Sequence, residues 1–174
     1  MNHVKNTARK ALPFLLGIFA VFFSVAMFTA CGEDEKAGFQ IPDALPGLVA
    51  DYADALTPEE EQMLTAAVEQ FERTSCGTLR IMVVRTTEGI PIEEVARNVA
   101  NEWKLATAEK SGVLLLLAVE DHTDRIEVSR EWEDVLTNER CAVILRSIVP
   151  ELQAGCYADA CAKAVRAMEL HFPK

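Results

Sequence analysis

The chain has 174 residues, 50% of them hydrophobic, and its 27 acidic residues outnumber 17 basic ones, which gives a formal charge of −10. This surplus of negative charge repels phosphate backbones and anionic lipid headgroups, so it excludes nucleic-acid binding and electrostatic membrane binding as functions. Cationic partners or divalent metals suit the charge. The simpler interpretation, which we favour, is that the acids only solvate the surface of an exported domain.

The first 30 residues have the three parts of an export signal. Lys5, Arg9 and Lys10 precede an uncharged run over residues 11–30, and Cys31 follows it. The end of this stretch, Phe28-Thr29-Ala30-Cys31, resembles the bacterial lipobox, in which a peptidase cuts before a cysteine that receives diacylglycerol and an amide-linked acyl chain such as palmitate. Leucine is usual where Phe28 stands. We predict a signal peptide over residues 1–30 and lipidation of Cys31.

An uncleaved transmembrane helix is the alternative, because the apolar run is about long enough to span a bilayer. In both cases the basic residues stay inside, so the rest of the protein is predicted on the extracytoplasmic face of the cell membrane or outer membrane. Residues 31–46 lack an apolar period and are predicted to form a flexible tether. Residues 47–174 are predicted to form one domain with a single core.

A capping box marks the first predicted helix. In Thr57-Pro58-Glu59-Glu60 the Thr hydroxyl and the Glu60 carboxylate accept from each other's backbone amides, and proline suits the first helical position. Apolar residues then recur at helical spacing, and Gly77 is predicted to cap the end. Leu79–Val84 is rich in branched residues and predicts a strand.

The centre of the chain predicts a strand, helix, strand unit. Gly112 opens the apolar run VLLLLAV, which is typical of a central strand buried on both faces of a parallel sheet. The alternating segment Arg125–Arg130 predicts a half-buried strand hairpinned to it. The helix before Gly112 is predicted to carry its apolar residues on one face: Ile92, Val95, Ala96, Val99 and Trp103.

Two helices are predicted to end the chain, which makes it an α/β domain. Thr137 caps the first of them, Pro150 is expected to kink it, and Gly155 separates it from a last helix over residues 157–170. The apolar face of the first helix is predicted to consist of Ala142, Leu145, Ile148, Val149 and Leu152.

Four cysteines follow Cys31: Cys76, Cys141, Cys156 and Cys161. In an oxidising compartment they permit up to two disulfides, and spacing does not separate the three pairings. Cys141 and Cys161 also lie on apolar helical faces, where a buried thiol behaves as a small hydrophobe. Disulfides and buried thiols both remain open.

Several short sequence motifs, in their order and spacing, resemble the TPM-domain family. Its plant member is a thylakoid acid phosphatase linked to photosystem II repair. The match runs from about Val49 to Met168 and rests on DYADALT after Ala50, GVLLLLAVED after Trp103, RIEV at Arg125, and IVP leading to GCY at Gly155. The resemblance implies a small mixed β-sheet sandwiched between α-helices in three layers. It also implies export and, in some members, divalent metal binding with weak phosphatase activity.

This chain departs from the family pattern where chemistry is expected. Lys110-Ser111-Gly112 stands in place of Asp-Asn-Gly or Asn-Asn-Gly, and Asn138 replaces an aspartate. The segment Ser129-Arg130-Glu131-Trp132-Glu133 stands in place of Gly-Tyr-Gly-Leu-Glu, so only its final glutamate matches. Two positions that hold a cation in the family are therefore changed, and any affinity for Ca²⁺ or Mg²⁺ is expected to be weak.

A hard cation needs several oxygen ligands that converge on one point. The candidate ligands are Asp121 and Asp124 in the hairpin turn, with Glu133 and Asp134 beyond it. These acids can also be solvated turn residues. Asp51 and Asp54 are predicted either to join them or to form local side-chain turns.

Two functions follow from these observations. The first is a lipid-anchored domain that binds a protein partner in the cell envelope and assists the turnover or assembly of membrane proteins. The alternative is a metal-dependent acid phosphatase. No catalytic residue is assigned, because no Ser or Cys has a recognisable nucleophile setting. His122 is predicted to be a surface turn residue and Trp132 a core or edge-covering one.

Overall fold

The computed structural model describes residues 39–42 and 47–172, so the predicted signal peptide, Cys31 and most of the predicted tether lie outside the described residues. The elements in chain order are β1 (Val49–Asp51), α1 (Pro58–Ser75), β2 (Thr78–Val84), α2 (Ile92–Glu102), β3 (Gly112–Ala118), β4 (Thr123–Val128), a short 3-10 helix (Arg130–Trp132), α3 (Asn138–Gln153) and α4 (Tyr157–Glu169).

The strands form one mixed sheet in the order β1-β2-β3-β4. β1, β2 and β3 are parallel, and β4 pairs antiparallel with β3. Every residue of β3 is buried, as expected for a strand covered on both faces. The predicted crossover unit and hairpin are therefore confirmed. β1 was not predicted, because three residues are too few to show a period.

Helices cover both faces of the sheet. Leu115 and Leu117 of β3 pack in one core cluster with α1, α3 and α4. Leu114 and Leu116 point to the other face and pack with α2. The predicted α/β class, with a small mixed sheet sandwiched between helices, is confirmed.

The capping box of α1 is present as predicted. The Glu60 amide donates to Thr57 Oγ1 over 3.3 Å, and the Thr57 amide donates to Glu60 Oε2 over 2.8 Å. The predicted cap at the other end is wrong, since Cys76 takes the left-handed conformation with φ 58°. Gly77 serves close packing instead: a Cβ there would lie 1.9 Å from Trp132.

The helix α3 buries most of the predicted apolar face together with two residues that were not predicted. Ile148 is buried, and Leu145 and Leu152 are half-buried against the core, as predicted. Val149 is instead 38% exposed, and Cys141 and Ile144 are buried. Apolar residues occur on two sides of this helix, so their periodicity did not decide which side faces the core. The helix also continues through Pro150 to Gln153. Gly155, with φ 73°, separates it from α4 as predicted.

Part of the predicted tether packs on the domain. Phe39 and Ile41 are half-buried against the cluster under α2. The indole nitrogen of Trp103 donates a hydrogen bond to the Pro42 carbonyl over 3.0 Å. Residues 39–42, which we name the strap, therefore cover apolar side chains on the α2 face of the sheet.

Within residues 39–42 and 47–172, no helix is both long and apolar enough to cross a membrane.

Candidate functional site

The carboxyl ends of β1, β2 and β3 meet at one edge of the sheet, which we name the carboxyl edge. In open α/β sheets, ligands bind outside this edge. Asp51 ends β1, Arg85 follows β2, and Glu120 and Asp121 lie just beyond β3. Arg85 Nη2 and Glu120 Oε1 are 2.7 Å apart, but both side chains are largely exposed, so the pair contributes little to stability.

Asp121 joins two loops of the carboxyl edge. Its Oδ1 accepts from Thr86 Oγ1 over 2.8 Å. Its Oδ2 accepts from the Thr87 amide over 2.7 Å and from Thr87 Oγ1 over 3.0 Å. These bonds, led by the one from the Thr87 amide, lower the pKa of Asp121. Both carboxylate oxygens are occupied in fixing the hairpin turn to the loop after β2.

Asp51 was predicted either to join the candidate metal ligands or to form a local side-chain turn, and it forms the turn. Its Oδ1 accepts from the Ala53 amide over 2.9 Å and its Oδ2 from the Leu56 amide over 2.7 Å. Asp54 is exposed and has φ 52°. The Asp51 carboxylate therefore shapes the chain between β1 and α1.

A cavity of about 570 Å³ opens beside the hairpin turn, between β3, β4 and the connection from α3 to α4. We name it the edge cavity. Its volume falls in the range of ligand pockets. Its apolar lining includes Leu117, Val119, Val149 and Leu152, and its polar lining includes His122, Asp124, Gln153 and Tyr157.

Asp124 places a carboxylate in this apolar lining. It pairs with Leu117 across the β3-β4 ladder, and cross-strand partners share a face of the sheet. Its side chain is therefore on the face that carries the core under α3. Burial raises the pKa of Asp124. Among the described residues, none donates a hydrogen bond to its carboxylate, so no such bond offsets the cost of its partial desolvation.

His122 lies at the rim of the edge cavity, two residues before Asp124. It is exposed and has φ 53°, a left-handed conformation in the tight turn between β3 and β4. Its place in a surface turn agrees with the sequence-based prediction.

The four candidate metal ligands do not form one group. Asp121 and Asp124 lie near the start of β4, while Glu133 and Asp134 follow its end. Asp124 lines the edge cavity, whereas Glu133 and Asp134 line a different cavity along β4. Over the ranges that the structure covers, no three His, Cys, Asp or Glu side chains are arranged to hold a metal ion.

Glu133 and Asp134 instead line a separate cavity of about 340 Å³ along the open edge of β4. Glu127, Asn138 and Glu139 also line it. The loop after the 3-10 helix brings these residues to the strand edge.

The structure has the four cysteines as free thiols. Cys76 and Cys156 are exposed, whereas Cys141 and Cys161 are buried in the core. Burial raises the pKa of the Cys141 thiol and raises that of Cys161 to about 12. A thiol with so high a pKa is a poor nucleophile.

Sequence reasoning missed the side of the edge cavity formed by Val149, Gln153 and Tyr157. These residues lie about 30 positions after the hairpin turn. Only the packing of α3 and α4 beneath the sheet brings them beside Asp124.

The fold and the cavity define a small mixed-sheet α/β domain with a ligand-sized cavity at the carboxyl edge of its parallel strands. The sequence matches the TPM domain family model over residues 49–170. The chain therefore belongs to the TPM domain family. A search of curated proteins gives no significant match.

Solved structures from three bacteria share the fold. The N-terminal domain of a P. gingivalis protein has a TM-score of 0.65 at 19% identity, covering 71% of this chain and 80% of that one. The N-terminal domain of cg2496 from Corynebacterium glutamicum has 0.60 at 12%, covering 76% and 84%. The BA42 protein from the psychrophile Bizionia argentinensis has 0.56 at 28%, covering 68% and 84%.

Proposed function

We propose that this protein is a lipid-anchored extracytoplasmic lipoprotein whose TPM domain binds a protein partner in the cell envelope, in the turnover or assembly of membrane proteins. The edge cavity carries the proposal. It combines an apolar lining with one half-buried carboxylate, which suits recognition of a side chain better than it suits catalysis.

The cavity indicates the chemistry of the partner. An apolar side chain would bury surface against Leu152 and Val149. A neighbouring Lys or Arg would donate to Asp124, which has no donor among the described residues, and a charge-assisted hydrogen bond in a desolvated site is a strong one. We infer an envelope protein segment that carries an apolar residue beside a basic one.

The leader supports the anchoring part of the proposal. Phe28-Thr29-Ala30-Cys31 resembles a lipobox, and Phe39, which packs on the domain, is eight residues after Cys31. Eight residues reach at most roughly 26–29 Å even when fully extended. A lipid on Cys31 would thus keep the domain next to the membrane surface, within reach of membrane-protein partners.

The Asp124→Asn variant tests the binding site. The partner captured from cross-linked envelopes should fall at least tenfold, while the melting temperature at pH 7 should rise, because the charged form of Asp124 is the one that burial disfavours. Glu94→Gln, an exposed acid on α2 away from the cavity, is the matched control. Equal capture by wild type and Asp124→Asn would refute the site.

The Cys31→Ala variant tests the anchor separately. It should leave uncleaved precursor that carries no lipid, as shown by its mass and by labelling with a fatty-acid probe. A variant that is processed and located like the wild type would refute the lipobox interpretation and leave the partner site untouched.

The second candidate function is a metal-dependent acid phosphatase, which is favoured by the acids along the edge of β4. A metal at a hundred times its dissociation constant adds about 2.7 kcal/mol to stability, so Ca²⁺ or Mg²⁺ should raise the melting temperature if it binds. We expect no shift for the wild type and calcium binding after Lys110→Asp with Asn138→Asp. Micromolar calcium binding by the wild type, or phosphatase activity that Glu133→Ala abolishes, would favour the enzyme.

A further inference from the structure

Three exposed basic residues line a cavity at the opposite end of the strands from the edge cavity. Arg97, Lys104 and Arg130 line this space of about 360 Å³, which we name the basic cleft. Among the described residues, the ion pairs with Asp or Glu involve five basic residues outside this cleft: Arg73, Arg80, Arg85, Arg125 and Lys163. The three cations of the basic cleft have no carboxylate partner there.

The end of α2 presents Lys104 in an unusual backbone conformation. The Leu105 amide donates to the Ala100 carbonyl over 3.0 Å and the Lys104 amide to the Asn101 carbonyl over 3.1 Å, which is a Schellman motif. Lys104 takes the left-handed position of this motif, with φ 50°, where glycine is the usual residue. The motif also occupies two carbonyls at the end of α2 that would otherwise repel an anion.

The floor of the basic cleft is held in place by close packing. A Cβ on Gly112 would lie 2.3 Å from the Leu105 carbonyl oxygen, so the chain after Lys104 lies directly on the start of β3. Thr78 Oγ1 donates to the same carbonyl. The Gly112 amide donates to Ser129 Oγ over 3.1 Å, which fixes the residue before Arg130.

Two carboxylates also line the basic cleft, but one is already neutralised. Glu127 Oε2 accepts from Arg125 Nε over 3.1 Å and from Arg125 Nη2 over 2.9 Å. Glu131 is exposed. The cleft therefore has a surplus of positive charge in a chain whose overall charge is −10.

We propose that the basic cleft binds the oxyanion of a small molecule, either a carboxylate or a phosphate. The guanidinium groups of Arg97 and Arg130 offer paired N–H donors that match such oxygens, and Lys104 adds a third cation. The binding is direct, through side chains, and it concerns a different surface from the partner site proposed above.

Calorimetry on the full-length protein in detergent tests the proposal. Phenyl phosphate and phenylacetate are the two anionic probes, and benzylamine is the cationic control. At least one anion should bind, the tighter of the two identifies the oxyanion class, and benzylamine should not compete. Failure of both anions to bind at 20 mM, or equal binding of benzylamine, would overturn the proposal.

Two sets of variants separate site binding from general charge. Arg97→Gln with Arg130→Gln should weaken anion binding at least tenfold. Arg146→Gln with Arg166→Gln removes the same charge from exposed positions outside the cleft and should change binding less than twofold. Equal losses in both pairs would refute the site.

Lys104→Gly distinguishes a binding role from a structural one. Glycine favours the left-handed conformation at this position, so the variant should melt at the same temperature as the wild type or higher. Its anion affinity should nevertheless fall severalfold. A Lys104→Gly protein that keeps full affinity would remove Lys104 from the site.

Discussion

The Gly112→Ala substitution should destabilise the domain through one specific contact. The added methyl group would lie 2.3 Å from the oxygen and 2.5 Å from the carbon of the Leu105 carbonyl, where ordinary contacts begin at about 3.4 Å. Backbone must therefore move by about 1 Å. Because Thr78 holds the same carbonyl, this movement strains or breaks that hydrogen bond.

The expected cost combines two effects. Overpacking of a dense site costs about 1–3 kcal/mol, and a weakened hydrogen bond costs about 1 kcal/mol more. The lower entropy of the unfolded alanine chain returns about 0.4–1 kcal/mol. We expect a net loss of about 2–3 kcal/mol in urea unfolding and a fall in melting temperature of about 6–10 °C.

Gly89→Ala is the matched control for this substitution. Gly89 has φ 80°, and no atom lies within 4 Å of the position that a Cβ would take, so alanine there strains the backbone without a steric clash. Its cost should be about 1 kcal/mol. If Gly112→Ala unfolds at the same urea concentration as the wild type, or is less destabilising than Gly89→Ala, the close approach at Leu105 is refuted.

Three further predictions concern the described domain. Asp121→Asn should lower the melting temperature at pH 7. Because folding lowers the pKa of Asp121, the difference in melting temperature between wild type and variant should persist above about pH 4 and shrink as the pH falls below it. An unchanged difference at pH 2.5 would contradict this. Trp103→Phe removes the hydrogen bond to Pro42 and should cost about 1–2 kcal/mol, with faster chymotryptic cleavage after Phe39; cleavage at the wild-type rate would contradict a docked strap. Cys76 and Cys156 should react quickly with a thiol reagent in the native protein, and Cys141 and Cys161 only after denaturation. Fewer than four reactive thiols, Cys31 aside, in unreduced denatured protein would instead show a disulfide.

Local chemistry made part of the fold predictable. The capping box at Thr57 needs only four consecutive residues, and the buried strand after Gly112 is marked by an unbroken apolar run. Both were predicted correctly. The helix α3 was predicted at the right place, but its buried face was only partly right, since side chains such as Val149 and Ile144 are equally apolar and only tertiary packing selects between them.

The candidate sites depended on residues that are distant in the chain. Residue types and local spacing were enough to predict the acidic character of the protein, the order of its helices and of strands β2 to β4, and the TPM family pattern. Only the packing of the folded domain shows that Asp121 bonds to Thr86 and Thr87, that Asp124 and Tyr157 line one cavity, and that Arg97, Lys104 and Arg130 line one cleft. These contacts and cavities arise because parallel strands are joined by crossovers and helices pack on both faces of the sheet. This packing brings together side chains that are far apart in the sequence and share no local pattern.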